Sequence, residues 1–273
     1  MIRIITDSTA GFSDKEISDL NIDVIPLYIV TSSSKYKDLN SNTFLSLVDE
    51  FPKTAEPTPA DILEYFNFYP NDYIIFICTS KQISNTYISA NIAKDLSKNK
   101  NIFIIDSKTL STGLKSIVEF AVYLRNNNYS FDSIISKIEE IKKHSVTIAI
   151  INSFKYLQKS NKVSNISALT GNLFNIKPIF IVKSSIIQPY KKINGTNKLY
   201  SFLENIPNKF NINKDFPIYL STHSELKICE NIKENFSKKY ITSNISELPS
   251  VIMCHTGPEC IVCSLFSKDK IFN

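Results

Sequence analysis

Two hydroxyl groups and one imidazole are the side chains in this 273-residue chain whose placement suits chemistry. Ser84 lies in the polar turn Thr79–Asn85. Before it runs a continuous apolar stretch, Tyr73–Cys78; after it, Tyr87, Ile88, Ile92 and Leu96 recur at helical spacing and are expected to form one apolar face. A strand that ends in a hydroxyl-rich turn and feeds a helix is a device for holding anions, because the first-turn amides have no partner and the helix dipole favours negative charge there. Ser84 stands where the N-cap belongs, so the plainer alternative is that it only caps its own helix. Thr54 lies in a turn just before a second helix start, where Thr58 is the expected N-cap, Pro59 takes the first helical position and Asp61 completes a capping box. His255 follows the apolar run Val251–Cys254, expected as a strand, and precedes the tight turn Thr256-Gly257-Pro258. It is a site candidate with a structural role as its alternative. His144, beside two lysines at a helix end, reads as a surface residue, and His223 at a strand end fits either role.

Other chemistries find little support. The five cysteines are odd in number and expected as free thiols. Cys254, His255, Cys260 and Cys263 have a superficial zinc spacing. However, Cys260–Phe266 reads as a strand, on which a separation of three puts Cys260 and Cys263 on opposite faces. No metal is therefore expected. The sequence has no Gly-rich phosphate loop, no Walker lysine, no G-x-G-x-x-G and no nucleophile elbow.

The elements that must position these groups alternate. Strands are expected at Met1–Thr6, Ile22–Val30 (bent or at an edge because of Pro26), Tyr73–Cys78, Asn101–Ile105 and Val146–Asn152. Helices are expected after Ser13, where Ser13-Asp14-Lys15-Glu16 reads as a capping box, over Asn40–Phe51, after Thr58, after Ser84, over Ser111–Asn126 and over Phe131–Lys143. This alternation predicts a parallel sheet with helices on both faces, and ligands at the carboxyl ends of its strands, where Asp7, Thr79, Ser84, Asp106 and Ser107 fall. The second half is expected to hold short helices at Phe154–Lys159 and Leu169–Phe174, and a hairpin of Pro178–Val182 with Ile186–Tyr190. Beyond the hairpin come helices near Asn197–Ile206 and Glu225–Lys238 and strands at Pro217–Thr222 and Cys260–Phe266. The expected architecture is two α/β domains: residues 1–153 as a three-layer α/β/α unit with a parallel sheet, and residues 154–273 with a mixed sheet.

Hydrophobic content of 43% suits a globular protein, and no apolar run approaches a membrane span. The N-terminal MIRIITDSTA reads as a strand rather than a signal peptide, so a cytoplasmic protein is expected. The net charge of +5 comes from lysines dispersed among acids, which is not a nucleic-acid footprint.

Seven segments in order, spanning nearly the whole chain, resemble the DegV family of bacterial fatty-acid-binding proteins. They are DSTA at Asp7, KTAEPTP at Lys53, SKQISNTYISA at Ser80, DS at Asp106, YLQKSNKVS at Tyr156, LFNIKPI at Leu173 and HTGP at His255. The resemblance implies two α/β domains with a long acyl chain buried between them. It implies a carboxylate held by Thr54 and Ser84, with His255 beside the head group. It also implies a role without catalysis or cofactor: a lipid-binding substrate carrier that presents the acid to the ATP-binding subunit of a fatty acid kinase, in phospholipid metabolism. Lys162 stands at an arginine of the family's kinase-facing surface, with Lys191, Lys192 and Lys198 in neighbouring segments. The chain departs from the pattern at Asn85 and Asn161, which replace glycines, at Asn194, which replaces an arginine, and at Glu56 and Glu259, which replace a Gln and a Gly near the head group. Two alternatives have other chemistry: a Ser/His esterase using Ser84 and His255, and a protein-interaction module with a relic lipid pocket.

Overall fold

The structure, a computed structural model, describes residues 1–37, 41–46, 51–152, 154–160, 176–183 and 185–272. Lys162, Asn161 and the helix expected over Leu169–Phe174 lie outside the described residues.

The N-terminal sheet is parallel throughout, in the order β2 (Asp23–Ile25), β1 (Ile2–Asp7), β6 (Tyr73–Cys78), β7 (Ile102–Asp106). Alternation along each strand builds its two faces. Ile4, Ile75, Ile77 and Ile105 meet α5 (Thr112–Asn126), α6 (Phe131–Ile141) and α1 (Asp14–Leu20). Ile5, Ile74, Phe76 and Ile104 meet α3 (Pro59–Asn67) and α4 (Thr86–Leu96) on the other side. This is the expected three-layer arrangement. Both foreseen capping boxes are present: Ser13 with Glu16 opens α1, and Thr58 with Asp61, followed by Pro59, opens α3.

The apolar run from Ile22 to Val30 is two strands, not one. Pro26 cannot donate to a ladder, and the chain leaves the parallel sheet there. Beyond it, β3 (Tyr28–Val30) pairs antiparallel with β4 (Lys35–Lys37) and β5 (Lys53–Ala55) in a separate three-stranded sheet. Between β4 and β5, α2 (Ser41–Leu45) forms within the helix expected over Asn40–Phe51. Thr54 is therefore in a strand, opposite Ile29, and not in a turn.

The apolar face expected on α4 is also corrected. Ile88, Ile92 and Leu96 are exposed, whereas Thr86, Ser89, Ala90 and Ala93 are buried. Ala90 and Ala93 share a core with Ile62 and Phe66 of α3. Two helices and a sheet crowd this side, and small residues allow the close approach.

The C-terminal sheet is mixed and six-stranded. Its order is β10 (Ile186–Asn194), β9 (Ile176–Lys183), β8 (Ser145–Ile151), β13 (Cys260–Phe266), β11 (Tyr219–Thr222), β12 (Ser246–Glu247). Only the β11–β12 pair is parallel. The run ending at Asn152, expected to continue the N-terminal alternation, is β8, antiparallel between β9 and β13. Sheet membership thus changes ahead of Ser145, and we propose the domain boundary between α6 and β8 rather than at 153/154. On one face of this sheet α8 (Thr196–Glu204), α9 (Ile206–Lys209) and α10 (Leu226–Ser237) close a core through Leu199, Leu203, Ile206 and Ile232.

The other face looks toward the N-terminal half. There α7 (Phe154–Lys159) and α11 (Ser250–Thr256) pack, with Leu157, Val251, Ile252 and Met253 against Ile151 and Val262. Residues Val251–Cys254, expected as a strand, belong to α11. Four consecutive apolar residues carry no usable period. Pro249 precedes the helix and Gly257, at φ 74°, ends it, and every residue from Ser250 to Cys254 is buried. Strand β13 follows expectation: Cys260 faces the α11 core and Cys263 the α10 core. Among the described residues no helix is long and apolar enough to cross a membrane, and no His, Cys, Asp and Glu residues group as a metal site.

Helix α5 is held by both halves. Lys115, 2% exposed, places its ammonium 2.7 Å from Glu16 on α1 and 2.9 Å from Ser246 Oγ on β12. Burial pushes the Glu16 carboxyl up, but hydrogen bonding to Lys115 and Ser13 more than offsets this, so its pKa lies below the ordinary 4.5. A lowered carboxylate pKa contributes stability above the unfolded-state value, and that contribution is lost as pH falls through the folded one. Glu16→Gln is expected to destabilise by about 1–3 kcal/mol near neutrality, less than a fully buried pair because Glu16 is a third exposed. In urea melts across pH, the gap from wild type closes below the ordinary carboxylate range. A gap that stays constant into acid contradicts the ion-pair account.

Candidate functional site

Between the six-stranded sheet and the loops and small sheet of the N-terminal half lies a cavity whose empty space, mouth included, is about 920 Å³. Its walls are mostly apolar. One is the face of the six-stranded sheet, where Ala149, Phe180 and Val262 lie side by side in register. Leu27, Leu110, Leu157, Val251 and Ile252 close the sides.

The mouth is polar, and the three site residues expected from the sequence all line this cavity. The hydroxyl of Thr54 lies 2.9 Å from His255 Nε2. Asn85 Nδ2 donates to Glu56 Oε1 at 3.0 Å, tying the segment of Thr54 to that of Ser84. Ser84 is not the N-cap of α4; Asn85 holds that position, without a side-chain cap. Ser84 stands one residue earlier, where its Oγ lies 2.8 Å from Thr86 Oγ1 and accepts from Thr86 N at 3.3 Å. That longer bond satisfies one first-turn amide, and the Ser84 oxygen still borders the cavity.

One residue of this site was missed in the sequence. Ser160 Oγ lies 3.1 Å from His255 Nδ1, so the imidazole is bracketed by Ser160 on one nitrogen and Thr54 on the other. A neutral imidazole donates from one nitrogen and accepts at the other. When Ser160 donates to Nδ1, Nε2–H donates to Thr54 and the Thr54 hydrogen is free to meet an anion. The reverse tautomer turns that hydrogen onto the imidazole. No local pattern marks Ser160, whose partner is 95 residues away.

The polar residues at the strand ends divide into two groups. Thr79 lines the cavity, as does Thr9, while Asp7 sits behind both. Asp7 accepts from Thr79 N at 2.6 Å and Thr9 N at 3.1 Å, and from the hydroxyls of Thr9 at 2.6 Å and Thr79 at 2.9 Å. Burial raises its pKa against the pull of these bonds. Asp7 therefore fixes the two threonines and does not face a ligand. Asp106 accepts from Lys81 N and Lys108 N, and Ser107 closes a local turn with Thr109; both shape loops. His144, largely buried, contacts the Ser267 carbonyl, and His223 pairs with Glu247; neither borders the cavity.

Glu259 is exposed, but Glu56 lines the mouth beside Thr54 and Ser84. A carboxylate there repels an anion. Glu56→Gln keeps an acceptor for Asn85 and removes the charge, and is expected to tighten binding of an anionic ligand several-fold at low salt. The gain should shrink as screening grows. Binding isotherms at low and high salt check this; unchanged affinity at both would place the Glu56 charge away from the ligand.

These features define a two-domain α/β protein with an apolar cavity against its six-stranded sheet and a hydroxyl-and-imidazole mouth. The model of the family described as "Uncharacterised protein, DegV family" matches residues 1–268, and the chain belongs to that family. A DegV domain-containing protein of Clostridium acetobutylicum is 27% identical over 98% of this chain and 99% of its own. Among solved structures, DegV of Bacillus subtilis, described as a fatty acid binding protein, is 26% identical with a TM-score of 0.82, covering 97% of this chain and 99% of that one. A DegV family protein from Thermus thermophilus, described for its fatty acid binding, shares the fold at a TM-score of 0.87 and 21% identity, covering 97% of this chain and 99% of that one.

Proposed function

We propose that this chain binds one long-chain fatty acid, with its hydrocarbon in the cavity and its carboxylate at Thr54, Ser84 and His255. The observation that carries this is the cavity itself: an apolar space against the six-stranded sheet whose mouth gathers hydroxyls and an imidazole. Similar proteins bind fatty acids, which supports the ligand class. The chain carries the acid as a substrate for a separate cytoplasmic fatty acid kinase and performs no phosphoryl chemistry alone. Transfer from ATP requires a phosphate cradle and metal-held charge clamps, and the sequence has no loop that builds them.

A Ser/His esterase requires a Ser84–His255 pair. The His255 nitrogens instead meet Thr54 and Ser160, and Ser84 meets Thr86. Exposed lysines of β10 and the start of α8, Lys191, Lys192 and Lys198, together with Lys162, would speed encounter with an acidic kinase surface.

The experiment is a reconstitution. The protein loaded with fatty acid is mixed with ATP, with and without the ATP-binding subunit of a bacterial fatty acid kinase. Acyl phosphate is expected only in the complete mixture. Product without the kinase refutes the division of labour, and no product in either tube refutes the carrier role.

A further inference from the structure

The cavity lining also carries a hydroxyl, at Ser111, that an unsubstituted acyl chain leaves unused. Ser111 precedes α5 at φ 53°, ψ −136°, a backbone region almost reserved for glycine. Its surroundings hold it there. Ser80 N donates to the Thr109 carbonyl and Ser107 N to the Cys78 carbonyl, pinning the turn from β7 to the end of β6. Two residues on, Gly113 lets the start of α5 press against β8, where a Cβ would overlap the hydroxyls of Thr147 and Thr109. The chain between these fixed points sets Ser111 in the cavity lining, where it is 2% exposed and its Oγ has no hydrogen-bond partner among the described residues.

A second hydroxyl stands on the same cavity wall. Thr112 and Ser264 lie 2.6 Å apart, Ser264 donates to Thr147 at 3.0 Å, and Thr147 and Thr109 lie 2.8 Å apart. Since Ser264 gives its hydrogen to Thr147, Thr112 must give its own to Ser264. One hydrogen remains over, on Thr147 or Thr109, and Thr147 lines the cavity. The lining thus offers a donor and an acceptor at Ser111 and a further hydroxyl at Thr147, among apolar residues. A buried hydroxyl left unmatched is costly, and a site built to bond an oxygen discriminates against a ligand that lacks it.

We infer that the cavity is adapted to a long-chain acyl group bearing an oxygen on its hydrocarbon portion, as a hydroxyl, oxo or epoxide group, which bonds Ser111. This rests on the cavity being a fatty-acid site, and the test separates the two claims. Stearate and a set of positional isomers of hydroxystearate compete against a fluorescent fatty acid on the wild-type protein, on Ser111→Ala and on Ser111→Gly. Glycine relaxes the backbone at this φ, so one variant lacking the hydroxyl remains usable if alanine folds poorly. The wild type is expected to bind one isomer about tenfold more tightly than stearate, with isomers substituted elsewhere gaining nothing. Both variants should bind stearate as well as the wild type does and lose the preference. Stearate binding with no isomer preferred, or a preference that survives in both variants, overturns the Ser111 site while leaving the fatty-acid reading standing. A matching loss of stearate affinity in both variants overturns it as well, by putting the carboxylate at Ser111. Failure of every ligand to bind the wild type removes the fatty-acid reading itself.

Discussion

Ala149→Phe is expected to abolish fatty-acid binding while leaving the fold intact. Ala149 sits on β8 between Phe180 of β9 and Val262 of β13, and all three line the cavity. It is partly exposed only because that cavity is there. A phenyl ring at this point occupies the space of the acyl chain, and each methylene kept out of the cavity forfeits roughly 0.8 kcal/mol. Exclusion of even three methylenes weakens binding about fiftyfold, since 1.4 kcal/mol is a factor of ten. The ring fills empty space rather than a packed core, so the usual overpacking cost of about 1–3 kcal/mol is largely avoided. Urea melts of lipid-free protein beside binding isotherms distinguish the two effects. Near-normal affinity in a stably folded Ala149→Phe protein would mean that the acyl chain lies elsewhere.

The second large effect is at the mouth. Thr54→Val keeps the shape of the side chain and removes its hydroxyl, and Ser84→Ala does the same at the other loop. A hydrogen bond to a charged group contributes about 1.5–3 kcal/mol, so each variant is expected to bind fatty acid about ten- to a hundredfold more weakly. The stability consequences differ. The Ser84 side chain bonds only Thr86 among the described residues, its hydroxyl at 2.8 Å and its amide at 3.3 Å, and the loss is expected to cost about 1 kcal/mol. Thr54→Val removes the oxygen that faces His255 Nε2 and leaves the imidazole held at Nδ1 by Ser160. Fatty alcohols of the same chain length should bind wild type and both variants with nearly equal affinity, because they present no carboxylate. Normal fatty-acid affinity in both variants would remove the assigned site.

What was legible in the sequence follows from which physics is local. The capping boxes at Ser13 and Thr58 involve side chains three residues apart and form as expected. So does the alternation that separates Cys260 from Cys263. The parallel sheet and the hairpin of β9 and β10 were also foreseen, and Thr54, Ser84 and His255, singled out by local pattern and given a shared ligand by the resemblance, line one cavity. What failed depends on partners far away. Whether Val251–Cys254 forms a strand or a helix turns on its burial against Leu157 and Val262, which four apolar letters do not encode. The apolar stripe on α4 misled because tight packing against α3 selected Ala90 and Ala93, leaving Ile88, Ile92 and Leu96 outside. Strand β8 joined the other sheet because its partners, β9 and β13, come later in the chain. Ser160 and Ser111 carry no local signature, since the role of each is set by a cavity assembled from distant segments.

The most direct test of the central claim is native mass spectrometry of the purified protein before and after organic extraction, followed by addition of a long-chain fatty acid. One fatty acid per chain is expected before extraction, the bare chain afterwards, and recovery of the original mass shift on adding the acid. A protein that carries no lipid as purified and takes up no added fatty acid after extraction contradicts the account.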